Sequence, residues 1–250
     1  MTINWKKTII IILDVAIAVY LLLAVTVFNR PDDKATVCTE VNIQIDGGQQ
    51  RGGFLNLTEV KRLLERQRLY PLAQPMQFVS TRQMEEALLK NPYVDQVECY
   101  KTQNGHVCIN LTQRQPVLHI MTAGGEQYYV DAGGDILPHS RLADNLLVAT
   151  GPISRSYARK RLAPIANQIL SDRFWHEQTE QLNVLGDGTL ELVPRVGDHI
   201  IYLGAPRDIP KKLERLRKFY KYGLSQAGWD RYKRISVEFD NQIICKRSEK

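Results

Sequence analysis

The side chains that could do chemistry are few and scattered. His106, His119, His139, His176 and His199 stand apart, with no His-x-x-x-His spacing and no acidic companion that completes a zinc set. His139-Ser140 near Asp131 has the residue types of a Ser-His-Asp arrangement, but no Gly-x-Ser-x-Gly elbow would raise the serine. Cys38, Cys99, Cys108 and Cys245 show no Cys-x-x-Cys spacing, which argues against zinc and against a thiol oxidoreductase. The Gly-Gly pairs join strand-like runs rather than opening helices, so no phosphate-cradling loop is present. A hydrolase needs a nucleophile, a metal or paired carboxylates. The chain reads as a non-enzyme with no cofactor, no metal and no small-molecule substrate.

What positions the chain is apolar patterning. Residues Thr8 to Phe28 make 21 nearly unbroken apolar positions, and a helix of that length just crosses a hydrocarbon core of roughly 30 Å. Lys6 and Lys7 precede it, whereas Arg30, Asp32, Asp33 and Lys34 after it cancel, so the positive-inside bias keeps the short end in the cytoplasm and exports the rest. A cleaved secretory signal would have a shorter apolar core and a small-x-small cleavage site, so an uncleaved anchor is expected. Asp14 lies about two turns into this span, either facing another helix or snorkelling to the near interface.

The formal charge of +6 is local in origin. From Ala205 to Lys250 there are 13 Lys or Arg against 6 Asp or Glu. A basic end of this kind suits an acidic partner, anionic headgroups or a solvated helix face. An exported chain meets little nucleic acid, so that partner is not expected. All four cysteines lie outside the cytoplasm in this topology, where disulfides form. Four cysteines allow three complete pairings; Cys99 and Cys108 flank a candidate turn and could pair locally.

Beyond a polar linker, Val41, Ile43 and Ile45 alternate with polar residues and stop at Gly47-Gly48, as in a half-buried strand. Thr58 is placed to cap a helix with Val60, Leu63 and Leu64 on its apolar stripe. Ser80 and Gln83 resemble a capping box for a second helix, with Met84, Ala87 and Leu88 inward, ended by Pro92. Two strands follow, Val94 to Lys101 and His106 to Thr112, around the turn residues Asn104-Gly105. The order is strand, helix, helix, strand, strand, which buries one face of a three-stranded sheet under two helices.

Farther on, short strand-like runs alternate with turn signals: Val117 to Met121, Gln127 to Asp131, Leu146 to Thr150, Gln181 to Leu185, Thr189 to Val193 and His199 to Leu203. Tyr157 to Leu170 has helical spacing, but Pro164 would kink that helix or force it to start near Ala163. Pro210 opens a helix with Leu213, Leu216, Tyr220, Leu224 and Ala227 on one face, and with Lys211, Lys212, Arg215, Arg217, Lys218 and Lys221 spread around the rest. Ile235, Val237 and Phe239 then alternate with Ser236, Glu238 and Asp240, and a last strand runs from Gln242 to Lys246. A final strand often lies at a sheet edge whose N–H and C=O groups another chain can join, and proline at Ile244 is expected to remove one such N–H.

This order, together with Leu88-Leu89-Lys90-Asn91-Pro92-Tyr93-Val94, Thr112-Gln113-Arg114-Gln115-Pro116-Val117 and Tyr129-Val130-Asp131-Ala132-Gly133-Gly134, resembles the bacterial cell-division family FtsQ/DivIB. The resemblance covers nearly the whole chain. Gln113 departs from it, since the family usually places a Glu before the Arg; Arg114 and Pro116 remain at the domain junction. It implies an α+β protein: residues 1–7 a cytoplasmic tail, 8–28 a single transmembrane helix, 29–37 a linker, 38–113 a POTRA-like βααββ domain, 114–247 a mostly antiparallel β domain with flanking helices, and 248–250 a tail.

The resemblance further implies a non-catalytic scaffold of the divisome. Such a protein is a single-pass inner-membrane protein with its C-terminal body outside the cytoplasm, enriched at the division septum, contacting other membrane division proteins and recruiting FtsB and FtsL. Ser236, Glu238, Phe239, Gln242, Ile243, Ile244, Lys246 and Arg247 are the implied partner-binding residues. The competing class is a POTRA-bearing protein-export or outer-membrane assembly factor. Those usually carry several POTRA repeats or a β-barrel, and neither pattern occurs in this sequence.

Overall fold

The computed structural model describes residues 5–24, 36–47, 55–139 and 146–247, without the side chains of 6–11. Helix α1 (Trp5–Leu23) exposes Leu13, Val15, Ile17 and Leu22 along its length. No helix among the described residues is long and apolar enough to cross a membrane. The expected span from Thr8 to Phe28 is thus met as helix only to Leu23, with the carboxyl of Asp14 inside it, and Val25 to Phe28 lie outside the described residues.

Strand β1 (Glu40–Asp46), helices α2 (Leu57–Arg66) and α3 (Thr81–Leu88), and strands β2 (Val94–Lys101) and β3 (His106–Gln113) form the first unit. Its sheet order is β1-β3-β2, with β1 parallel and β2 antiparallel to the central β3. Val60 and Leu64 of α2 and Met84 and Leu88 of α3 bury against Val107, Ile109 and Leu111, which is the expected two-helix cover over a small sheet. Asn56, rather than Thr58, caps α2, accepting from the Glu59 N–H at 2.8 Å, while Ser80 caps α3 as expected.

Register decides the cysteines. Cys99 pairs with Ile109, and Cys108 with Tyr100, so the two thiols stand on opposite faces of the β2–β3 pair and the local disulfide that their spacing allowed does not form. Burial, with Glu85 nearby, pushes the Cys99 thiol up to about 12, and the group stays a protonated core residue.

The second unit contains β4 (Pro116–Thr122), β5 (Gln127–Asp131), β6 (Ile136–Pro138), β7 (Leu147–Gly151), α4 (Arg155–Tyr157), α5 (Ala163–Ser171), α6 (Arg173–Gln178), β8 (Thr179–Val184), β9 (Leu190–Pro194), β10 (Ile200–Gly204), α7 (Ile209–Phe219), α8 (Ser225–Ala227), β11 (Tyr232–Ser236) and β12 (Ile244–Arg247). They build a nine-stranded sheet in the order β12-β11-β10-β9-β8-β7-β4-β5-β6. The sheet is mostly antiparallel, as expected, but mixed: β4–β7, β7–β8 and β10–β11 run parallel. Parallel neighbours need a crossover, and the helical segments between β7 and β8 and between β10 and β11 supply two of them.

One face of this sheet is the core. Leu118, Ala149, Leu182, Leu192, Ile201 and Ile235 meet Leu162, Ile169, Trp175, Leu213, Leu216 and Leu224 from the helical side. Pro164 is absorbed by a π-turn over Ala158–Leu162: the Ala163 N–H bonds the Ala158 carbonyl, and Pro164 falls in the first turn of α5, where its missing donor is harmless.

Only Arg114 and Gln115 separate β3 from β4, and both tie the units together. Arg114 Nη1 lies 2.9 Å from Asp131, 2.7 Å from Asp135 and 3.5 Å from Asp95, and its Nε donates to the Val94 carbonyl. Gln115 donates to the Gly47 carbonyl, and the Tyr93 hydroxyl to that of Pro138 at 3.0 Å. Gln113, the departure from the family resemblance noted in the sequence, is buried and accepts from the Leu55 N–H at 3.1 Å, a role that needs no charge. Pro116 opens β4 opposite Asp131.

Candidate functional site at the terminal sheet edge

The last two strands hang on the rest of the sheet by short ladders. β11 runs parallel to β10 in the register Ile200 to Arg234, Ile201 to Ile235 and Tyr202 to Ser236. β12 pairs antiparallel with β11 through Ser236–Ile244, Ile235–Cys245, Arg234–Lys246 and Tyr232–Arg247, with a bulge near Tyr232. Sheet order leaves β12 terminal, and among the described residues no strand pairs with its outer flank.

Which backbone groups face that flank follows from alternation. The Val237 N–H donates to the Tyr202 carbonyl at 3.0 Å, so the odd-numbered residues of this stretch turn their polar groups toward β10. Ser236 and Arg234 therefore bond toward β12, their partners Ile244 and Lys246 bond back, and Cys245 is the residue whose N–H and C=O point outward. Proline at Ile244 would break the sheet's own ladder; the free edge donor expected there belongs to Cys245.

The anticipated partner-binding residues divide accordingly. The strand expected from Ile235 to Phe239 ends at Ser236, and that expected from Gln242 begins at Ile244. Ser236 is held between Tyr202 and Ile244 and is not an edge residue. Glu238 folds inward over Gly204, whose φ of +68° leaves the space: a Cβ there would meet Glu238 Cγ at 2.8 Å. Ile243 packs on the core, and Gln242 is exposed in the preceding turn. Ile244, Lys246 and Arg247 are exposed on the edge strand itself, and Phe239 is half exposed at the bend.

The open face beside β12 is polar. Arg234 lies 2.8 Å from Glu191 and its guanidinium sits 4.6 Å over the Tyr202 ring, while Glu191 also accepts from Asn183 at 3.1 Å. Two basic residues of α7, for which an acidic partner, anionic headgroups or a solvated face were the open readings, are structural. Lys212 is 4% exposed and donates to the Leu203 and Ala205 carbonyls at 2.8 and 2.9 Å; burial lowers its ammonium pKa. Arg215 reaches the chain just ahead of β12. Helical spacing places Lys212 on the face of Leu216, four residues on, and Arg215 next to Lys212, three residues on, which was the signal available in the sequence.

Of the residues that suggested chemistry, the structure brings His119 and His139 together, their rings tilted with centroids 5.4 Å apart and Tyr129 beside both, while His106 lies apart, 3.6 Å from Glu40. Asp131 is engaged by Arg114 and the Asp135 N–H, and Ser140 lies outside the described residues. Among the described residues no three His, Cys, Asp or Glu converge as a metal site.

His199 is buried beneath Tyr220, with Nε2 and the hydroxyl 2.7 Å apart and Nδ1 without a partner. Burial lowers its pKa, against a smaller opposing pull from Asp198. The unfolded chain therefore takes this proton first as pH drops below about 6.5, so stability is full above that pH and falls as the solution is acidified toward the folded value. The urea midpoint of the wild type is expected to drop between pH 7 and pH 5 more than that of His199→Gln.

A family model described as FtsQ/DivIB, C-terminal related, matches residues 115–246, and one described as a POTRA-like domain matches residues 36–112. No curated protein matches the chain.

Proposed function

The chain belongs to the FtsQ/DivIB family, and we propose that it is a non-catalytic, membrane-anchored scaffold of the bacterial divisome that recruits FtsB-type and FtsL-type proteins by accepting a strand on β12. The observation that carries this reading is the terminal position of β12, whose outer flank no strand among the described residues pairs with. An added strand gains main-chain hydrogen bonds at Cys245, and its alternate side chains meet Ile244 and Lys246 on one face and Arg247 on the other. Lys246 and Arg247 favour an acidic segment on the partner.

The apolar run of Thr8 to Phe28 and the exposed apolar side chains of α1 support an N-terminal anchor, Lys6 and Lys7 favour a body outside the cytoplasm, and the family supports its concentration at the septum. In this reading the POTRA-like unit sits near the membrane, where other division proteins dock, and the nine-stranded sheet presents the edge farther along the chain.

Cys245→Pro tests the edge. It deletes the outward N–H while leaving the bonds of Ile244 and Lys246 to β11 in place, and edge strands tolerate proline at such positions. Co-purification of the FtsB-type partner with the full chain is expected to fall by about tenfold or more, with circular dichroism unchanged. Full capture by the folded variant would refute strand addition. A septal band from a fluorescent fusion is expected, and an even envelope signal would count against the divisome assignment.

A further inference from the structure

We infer that Arg215 of α7 is a positioning residue for the β12 edge: it clasps the bend between β11 and β12 and so sets which side chains and backbone groups the edge presents. The inference rests on the strand-addition reading for its functional consequence, but the clasp itself stands on geometry.

Strand β11 ends at Ser236, the Val237 N–H still bonds β10, and residues 238–243 return the chain antiparallel as β12. Arg215 holds this stretch ahead of its turn, at Val237, and within the turn, at Asp240. Its Nη2 donates to the Val237 carbonyl at 2.7 Å, and its Nη1 donates to the Asp240 carbonyl at 2.6 Å and to Asp240 Oδ1 at 3.1 Å. The guanidinium is largely covered, with 22% of the side chain exposed, whereas Asp240 is 81% exposed. An exposed ion pair alone is worth little; the two bonds to backbone carbonyls, one ahead of the turn and one within it, are what constrain the path.

The anchor at the other end of the clasp is itself fixed. Lys212, one turn earlier on α7, holds the Leu203 and Ala205 carbonyls around Gly204, and Glu238 packs over that glycine. Helix α7 thereby grips the end of β10 and the exit of β11 with two side chains on one face.

This matters because the edge is otherwise weakly specified. β12 has four residues, one neighbouring strand and a bulge in its register. A slip of one residue would turn Ile244 and Lys246 to the helix side and bring Cys245 and Arg247 to the open face. It would also exchange inward for outward backbone donors. A partner strand selecting the native pattern would then find the wrong one.

The test uses the full chain in detergent micelles, comparing wild type, Arg215→Gln, Arg215→Lys and Cys245→Pro. Hydrogen exchange of the free chain is read first. In Arg215→Gln the Ile244 and Lys246 amides are expected to exchange about tenfold faster or more, while those of β8 and β9 keep their rates. A merely structural loss would raise exchange in both places. Arg215→Lys, which can still reach one carbonyl, restores part of the protection. Capture of the co-expressed FtsB-type partner is expected to fall with the loss of protection. Unchanged edge exchange in Arg215→Gln overturns the clasp, and so does full capture by Arg215→Gln when Cys245→Pro loses it. If Cys245→Pro also captures fully, strand addition fails, and the clasp is judged on exchange alone.

Discussion

Arg114→Ala is expected to loosen the joint between the POTRA-like unit and the nine-stranded sheet. The side chain binds three carboxylates and one carbonyl, and the Asp131 carboxylate is nearly buried, with 9% of its side chain exposed. Removing the cation leaves the Asp131 carboxylate without a cation of its own, beside an Asp95 that also loses one and an Asp135 that keeps Arg159 at 3.3 Å. Breaking a buried pair costs about 3–5 kcal/mol, and the partial exposure of Arg114 brings the expected loss to about 2 kcal/mol.

Lysine should not restore it, since one ammonium cannot reproduce the planar fork that serves Asp131, Asp135 and the Val94 carbonyl together. Urea unfolding of Arg114→Ala should show a lower midpoint, and limited proteolysis should open near residues 113–116. An unchanged midpoint with an uncut junction would mean that Gln115 and Tyr93 suffice to hold the two units.

Gly151→Ala is expected to be more damaging. Gly151 ends β7 with φ at +116°, and a Cβ there would lie inside van der Waals contact of the Val184 carbonyl oxygen and 3.0 Å from its carbon. Backbone, not a flexible side chain, is in the way, so β7 and β8 must separate or the turn must rebuild. Left-handed strain costs about 1–3 kcal/mol, and displacing a packed strand adds a similar amount, which puts the loss at about 3 kcal/mol or more. A fall of less than about 1 kcal/mol in unfolding free energy would show that the β7 turn has another low-energy path. Because β7 and β8 lie in the interior of the sheet, the edge at β12 should suffer only through global unfolding.

Much of the first unit was legible because its signals are local. Alternating Val41, Ile43 and Ile45, the cap at Ser80, the stop at Pro92 and the Asn104-Gly105 turn each act within a few residues, and the βααββ order follows from them. Pro210 likewise marked the start of α7. Resolving Pro164 took the π-turn, a shift of hydrogen-bond partner that spacing does not encode.

The parallel joins were hidden for a different reason. Short strands separated by turn residues look alike whether the next strand returns beside its predecessor or crosses over helices to another slot. The strand ends near Ser236 and Ile244 were misplaced because the bend between them is made by Arg215 from a distant helix. Cys99 and Cys108 looked like partners along the chain and are separated by one step of register.

By itself the sequence determined the elements: an apolar N-terminal run, a two-helix unit over a small sheet, and a longer β region with a basic helix. Only the tertiary structure decided that β12 is terminal, that Cys245 rather than Ile244 offers the outward donor, and that Lys212 and Arg215 are clasps. The physical reason is range. Periodicity and caps are written in neighbouring residues, whereas edge, register and burial depend on which distant segments win the competition to pair and pack.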